Sequence, residues 1–125
     1  MDYITELKDN EIFVFGSNEA GIHGAGAAKR AIIWGAEYGK GFGLQGRTFA
    51  IPTKNNKIKT LPINKIDWYV SLFIDFAKEH PELTFLVTPI GTGLAGYKDD
   101  EIAPLFVKAT YLDNVVLPDS FKELL

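Results

Sequence analysis

Short apolar runs rich in β-branched and aromatic residues alternate along the chain with segments whose apolar residues recur every three or four positions. This alternation is typical of an α/β fold with a largely parallel sheet. Two of the runs, FVF and FLV, are continuously apolar, which indicates strands that are covered on both faces. We predict five strands, at residues 11–15, 47–51, 57–61, 84–88 and 114–117.

Two helices follow from the same periodicity. The first is predicted over residues 24–38, where a stripe of small residues can approach the sheet closely. The second has Asn64 as its predicted cap, and Pro81 stops it. Trp68 and His80 belong to its amphipathic pattern, so we interpret both as packing or helix-end residues rather than ligand contacts.

A third helix is predicted to begin near Asp99 or Asp100. Acidic residues then lie at its positive end, and Pro104 lies in its first turn, where a missing N–H has little effect. A strand, a glycine-rich loop and a helix therefore occur twice in the chain.

Composition narrows the classes of function. The 125 residues are 46% hydrophobic and 23% charged, as expected for one globular domain. Cysteine is absent, which excludes disulfides, thiolate metal sites and cysteine nucleophiles. With only two histidines we expect neither a zinc site nor any other metal, and no cofactor is indicated.

The charge pattern and the N-terminus bear on location and partners. No stretch approaches the roughly 18 apolar residues that a membrane span needs, and no targeting segment is visible, so we expect a soluble cytoplasmic protein without a membrane partner. A net charge of −3 argues against a general basic surface for duplex nucleic acid. The lysines at positions 54, 57, 59 and 65 are more typical of a solvated loop or edge strand than of a binding patch.

The two glycine-rich loops are the main candidates for chemistry. "FGSNEAGIHGAGAAKRA" follows the first strand, and "TPIGTGLAGYKDDE" follows the strand at 84–88. In open α/β sheets, ligands bind beyond the carboxyl ends of the strands, and glycine loops can turn several N–H groups toward one anion. We therefore favour a diphosphate held between the loops over two purely structural turns.

The second loop also contains GxGxxG, at Gly91, Gly93 and Gly96. In a Rossmann fold this fingerprint normally follows the first strand of a long sheet. Here it comes near the end of the chain, so a Rossmann-like dinucleotide binder is retained only as an alternative.

The motifs "VFGSN", "HGAGAA" and "PIGTGLAGY", in this order, resemble those of a macrodomain, the ADP-ribose-binding fold, over residues 12–106. The resemblance implies a three-layer α/β/α fold with a mixed, largely parallel central sheet. It also implies that the partner is ADP-ribose or an ADP-ribosylated substrate. By position, the resemblance implies that Asn18 and Tyr97 lie near the distal ribose. The residues that match the family's first loop are Gly24, Ala25, Gly26 and Ala27. Those that match the second loop, which wraps the diphosphate, are Gly91, Thr92, Gly93, Leu94, Ala95 and Gly96.

Macrodomains include both readers and hydrolases of ADP-ribose. One hydrolytic branch has an aspartate where this chain has Ala25. The branch that removes ADP-ribose from glutamate or DNA is more similar, and it uses a lysine that matches Lys54 in "AIPTKNN". Such an amine can attack the ring-opened ribose as a Schiff-base nucleophile or orient the bond by its charge. The aspartate that partners this lysine in the branch falls at Ala95 in this chain. The alternatives are therefore ADP-ribose binding with a possible ADP-ribosyl hydrolase activity, a non-catalytic reader, and a protein that sequesters a free nucleotide signal.

Three further features stay open in the sequence. His23 can contact a phosphate, act as an acid or base, or be an exposed turn residue. The aspartate that reads the adenine amine in this family has no clear equivalent, with Asp2 and Asp9 as the candidates. The glycine-rich tract at residues 35–46 is interpreted as a mobile connection at the edge of the pocket or as a plain flexible loop.

Overall fold

The computed structural model describes residues 4–125. Two 3-10 segments, Ile32–Trp34 and Ala103–Tyr111, directly continue the helices that precede them. In chain order the strands and α-helices are β1 (Glu11–Asn18), α1 (Gly26–Ala31), β2 (Gly43–Gln45), β3 (Thr48–Lys54), α2 (Ile63–Glu79), β4 (Thr84–Val87), α3 (Asp99–Ile102), β5 (Val115–Val116) and α4 (Asp119–Lys122).

The strands form one mixed sheet in the order β2-β3-β1-β4-β5. The central strand β1 is parallel to both of its neighbours, β3 and β4, and β5 is parallel to β4. Only β2 is antiparallel, to β3. The predicted α/β class with a largely parallel sheet is therefore confirmed. The carboxyl ends of β1, β3 and β4 lie along the same side of the sheet, called here the carboxyl edge.

Both faces of β1 are buried, as its continuous apolar run predicts. Ile12 and Val14 lie in the larger hydrophobic cluster with residues of α2, whereas Phe13 and Phe15 lie in a second cluster with the alanines of α1. Phe13 and Phe15 are fully buried. Because side chains alternate along a strand, helices have to cover both sides of the sheet.

Four of the five predicted strands are confirmed, with ends that differ by a few residues. The strand predicted at 57–61 is wrong: this segment is a turn with a single bridge between Lys54 and Thr60. The side-chain oxygen of Asn55 accepts hydrogen bonds from the backbone amides of Lys57, at 2.8 Å, and Lys59, at 3.0 Å. Because of these bonds, the backbone turns around Asn55 instead of extending as a strand. Strand β2 was not predicted, because three residues that include a glycine carry no alternating pattern.

The first predicted helix is shorter than expected. After α1 and its 3-10 continuation, Gly35 adopts φ 109°, a left-handed conformation that ends the helix. Tyr38, the last residue of the predicted helix, lies beyond this end and is exposed.

The second and third helices are close to their predictions. Pro62, not Asn64, precedes the first residue of α2, so the predicted cap is wrong, while the stop before Pro81 is confirmed. His80 stacks on Phe76 with ring centroids 4.0 Å apart, which is a helix-end role, and Trp68 is exposed on the surface of α2. Helix α3 begins at Asp99 as predicted.

The glycine tract at 35–46 is close-packed, unlike a plain flexible loop. A Cβ at Gly41 would lie 2.3 Å from the carbonyl oxygen of Asn18, and a Cβ at Gly21 would lie 2.5 Å from the carbonyl carbon of Gly39. The segment after β1 and this tract therefore fit together backbone against backbone. None of the helices formed by residues 4–125 is long and apolar enough to span a membrane.

Gly41→Ala tests this close approach. Since the added methyl group would collide with the backbone of Asn18 and Glu19, we expect the free energy of unfolding to fall by about 1–3 kcal/mol in urea titrations. The matched control is Gly93→Ala, because a Cβ there meets no atom within 4 Å. Equal stability of the two variants would contradict the packing described here.

Candidate functional site

A cavity of about 440 Å³ opens at the carboxyl edge of the sheet. This volume lies within the range of about 300–1,000 Å³ that is typical of small-molecule sites. We call it the edge cavity. Its lining comes from the ends of β1 and β3, from both predicted glycine loops and from the turn after β3. The lining residues are Gly16, Ser17, Asn18, Ile22, Gly24, Ala25, Gly26, Ala27, Ala28, Thr53, Lys54, Ile58, Thr88, Pro89, Ile90, Gly91, Thr92, Gly93, Leu94 and Ala95.

The parallel pairing explains why these segments meet. Asn18 ends β1, Lys54 ends β3, and Thr88 directly follows β4. The backbone of Asn18 pairs with that of Lys54, and the amide of Thr88 donates to the carbonyl of Val14 at 3.1 Å. The three chain segments that leave these strands therefore begin side by side.

Asn18 shapes the first glycine loop. Its amide nitrogen donates to the carbonyl oxygen of Ile22 at 2.7 Å, and its side-chain oxygen accepts the amide of Ile22 at 2.9 Å. These bonds leave one N–H and one lone pair of the Asn18 side chain for another partner. The sequence singled out Asn18 as a ligand contact but gave no sign of this second role in the loop.

The main-chain N–H groups at the edge cavity are largely unpaired. Within residues 4–125, the amides of 24–28 find no hydrogen-bond acceptor, and neither do those of Gly91, Gly93, Leu94 and Ala95. The second loop is closed by other bonds, from Tyr97 N to the Gly91 carbonyl at 2.9 Å and from Gly96 N to the Gly93 carbonyl at 3.0 Å. Both glycine loops therefore carry unpaired main-chain donors in the segments that line the edge cavity.

At two positions of the lining, the fold itself does not require a glycine. Gly93 has no positive φ and no atom within 4 Å of an added Cβ; for Gly24, which also has no positive φ, the nearest atom is a methyl of Ile22 at 4.0 Å. Gly91 differs, because its φ is 77° and an added Cβ would lie 3.0 Å from Ile102. The missing side chains at 24 and 93 thus keep open space at the cavity rather than relieve a clash.

Lys54 is the only charged side chain in the lining that the structure describes. Among residues 4–125, no hydrogen bond or ion pair engages its side-chain amine. Among the lining residues that the structure describes there is no carboxylate, and Ala95 supplies none. Asp99 lies instead at an adjoining, more open pocket with Tyr97 and Ser120, which shares Pro89 and Thr92 with the edge cavity. The charge at the edge cavity therefore favours an anion.

Three residues predicted as ligand contacts do not line the edge cavity. His23 is neither a phosphate contact nor an exposed turn residue, because it is fully buried and its Nε2 lies 2.8 Å from the carbonyl oxygen of Glu37. Gly96 lies outside the lining, and the hydroxyl of Tyr97 donates to the carbonyl of Leu61 at 2.6 Å.

The candidates for reading adenine are not at the site either. Asp2 lies outside the described residues. Asp9 is exposed in the turn that precedes β1, at the opposite end of that strand from the edge cavity. The glycine tract at 35–46 contributes no lining residue.

Some lining residues were not predicted. Thr53 directly precedes Lys54, and Ile22 adjoins the first glycine loop, so their closeness in sequence to predicted site residues could have identified them. No feature of the sequence indicates that Ile58 lines the cavity, because its position depends on a left-handed backbone conformation that is unusual for isoleucine.

A tyrosine on α2 anchors the start of the first loop. The amide of Glu19 donates to the carbonyl of Lys54 at 2.9 Å, and the hydroxyl of Tyr69 donates to the Glu19 carboxylate. Burial, together with this hydrogen bond and the negative charge of Glu19, raises the pKa of Tyr69 from its ordinary value of 10.0 to about 12.

No family model, curated protein or solved structure matches this chain. Within residues 4–125, no group of three or more His, Cys, Asp or Glu side chains is arranged to hold a metal ion.

The Tyr69–Glu19 contact predicts a dependence of stability on pH. Below pH 10 the phenol is protonated in both states, and as the pH rises toward 12 the unfolded state loses this proton first. The stabilising contribution of Tyr69 is therefore complete below pH 10 and falls between pH 10 and about 12. We expect the difference in unfolding free energy between the native protein and Tyr69→Phe to shrink over that interval in denaturant titrations. A difference that stays constant across the interval would contradict the raised pKa.

Proposed function

We propose that this protein binds ADP-ribose or a related nucleotide diphosphate in the edge cavity, as a three-layer macrodomain-like domain. The observation that carries the proposal is the convergence of two glycine loops, with unpaired main-chain amides, on one cavity. Convergent N–H groups in glycine-rich turns are a recurrent means of binding phosphate groups.

A diphosphate suits this arrangement better than a neutral ligand. Unpaired donors come from residues 24–28 in the first loop and from 91 and 93–95 in the second, so two linked phosphoryl groups can each face a loop. Lys54 adds a positive side chain, and no lining carboxylate opposes the ligand's charge. A hydrogen bond to a charged group contributes about 1.5–3 kcal/mol, roughly twice a neutral one.

The Rossmann-like alternative has weaker support. Its fingerprint relies on one glycine loop, whereas two loops border the edge cavity, and Gly96 of the GxGxxG run lies outside the lining. The alternative of two purely structural turns does not account for Gly24 and Gly93, where the fold has room for a side chain.

Binding without turnover is the primary proposal. Lys54 is the candidate nucleophile for an ADP-ribosyl hydrolase, and none of the lining residues within 4–125 offers a carboxylate as its partner. A reader of ADP-ribosylated substrates, or a protein that sequesters a free nucleotide, needs only the amides and the positive charge.

Calorimetric titration with ADP-ribose, NAD, AMP and cyclic nucleotides tests the proposal directly. We expect ADP-ribose to bind more tightly than AMP, because AMP presents one phosphate to a site with two loops. If none of these compounds binds or shifts the melting temperature, the nucleotide proposal fails.

Gly93→Val should fold normally and lose the ligand. The variant places a branched side chain in open space at the second loop, so we expect affinity for ADP-ribose to fall about 100-fold or more, or ~3 kcal/mol, in calorimetry. Ser71→Val is the matched control, because Ser71 is exposed on α2 and lies outside the cavity lining. Unchanged affinity in a folded Gly93→Val protein would contradict the proposed position of the diphosphate.

Lys54→Ala separates a binding role from a catalytic one. Loss of a charge-assisted contact should weaken ADP-ribose binding about 10- to 100-fold, while Lys57→Ala, in the adjacent exposed turn, should leave it unchanged. Time courses with ADP-ribosylated protein and DNA give the second readout. Release by the native protein that disappears in Lys54→Ala would establish a hydrolase, and tight binding without release would establish a reader.

A further inference from the structure

The mouth of the edge cavity is apolar. Three large aliphatic side chains line it while staying substantially exposed: Ile22 at 50%, Ile58 at 42% and Leu94 at 74%. They come from the first glycine loop, the turn after β3 and the second glycine loop. Of the polar lining residues, Ser17 and Thr53 are 4% exposed, whereas Lys54 and Thr92 are half-buried.

The position of Ile58 requires an unfavourable backbone. Its φ is 61°, and among residues 4–125 it is the only residue other than glycine with a positive φ. A β-branched residue in this region is strained, whereas glycine or asparagine would fit. Because Ile58 is 42% exposed, its burial in the empty protein does little to offset this strain.

The turn that carries Ile58 is fixed by the surrounding structure. Asn55 and Lys59 exchange hydrogen bonds, with Asn55 N donating to the Lys59 carbonyl at 2.7 Å and Lys59 N to the Asn55 side chain at 3.0 Å. The hydroxyl of Thr60 donates to the carbonyl of Ala95 at 2.8 Å, which ties the turn to the second glycine loop. Ile58 is therefore held against the mouth of the cavity rather than free to swing away.

Among the lining side chains with hydrogen-bonding groups, the hydroxyls already donate within the protein, and Asn18, with one N–H and one lone pair left, is the exception among the uncharged ones. The hydroxyls of Ser17, Thr88 and Thr92 donate to backbone carbonyls at 2.8, 2.8 and 2.7 Å. No described lining residue carries a carboxylate that could accept a base amine. Discrimination between similar ligands depends on such buried polar partners, and apolar contact supplies little of it.

We propose that Ile58, with Ile22 and Leu94, forms an apolar platform for the heterocycle of the bound nucleotide, so that the site accepts nucleoside diphosphates with little regard to the base. This inference rests on the proposed function, because the amides hold the diphosphate and thereby bring the heterocycle to the mouth. The ligand class is then a nucleoside diphosphate or its ribosyl derivative in general, with adenine as one member.

The test compares bases and then removes the platform. In calorimetry, the native protein should bind ADP, GDP and UDP with affinities within about tenfold of one another. Ile58→Asn should weaken each of them about tenfold, since one aliphatic contact is lost. Its melting temperature should stay the same or rise, because asparagine tolerates the left-handed backbone. The control is Ile33→Asn, which replaces an isoleucine that is 79% exposed and lies outside the lining.

The outcomes separate this inference from the proposed function. If ADP-ribose binds but the affinities for ADP, GDP and UDP differ by more than about tenfold, a base-specific contact exists and the inference is overturned, while the proposed function stands. Unchanged affinities in a folded Ile58→Asn protein overturn it as well, as does binding of ADP-ribose with no measurable binding of the three diphosphates. If the native protein binds no nucleotide at all, the proposed function fails and this inference fails with it.

Discussion

The parallel pairing of β1 with β3 on one side and β4 on the other is the constraint on which the site depends. Parallel neighbours end at the same edge of a sheet, so the two glycine loops and Lys54 leave the sheet side by side although they are far apart in sequence. The chain passes from β1 to β3 in one direction and from β3 across β1 to β4 in the other. Such a reversal of strand order is where open α/β sheets form ligand crevices.

Glycine serves two physically different purposes around this crevice. Gly21 and Gly41 allow two stretches of backbone to come within van der Waals contact, so an added Cβ would force one of them to move. Gly24 and Gly93 are not crowded, and their missing side chains leave room at the cavity instead. A count of glycines in a loop cannot separate the two uses, because the difference lies in what a Cβ would meet.

Much of the fold could be predicted from local patterns. The buried strand β1 and the amphipathic helix α2 have strong periodicity, and each glycine loop was recognisable from its place between a strand and a helix. The turn at 57–61 could not be predicted, because hydrogen bonds to Asn55 and a left-handed Ile58 override the β propensity of that segment. Long-range contacts decided the remaining failures: His23 is buried because the carbonyl of Glu37 and the ring of Phe15 lie against it, and neither partner is close in sequence.

A site made mainly of main-chain amides depends on backbone geometry more than on the chemistry of its own side chains. Asn18 sets the course of the first loop through two hydrogen bonds to Ile22, and the carbonyl of Asn18 in turn packs against Gly41. Tyr69 reaches the same segment through Glu19. A substitution in the glycine tract or on α2 can therefore move the donors of the first loop without contacting the cavity. The residues that position these donors are thus spread over the fold and extend beyond the cavity lining.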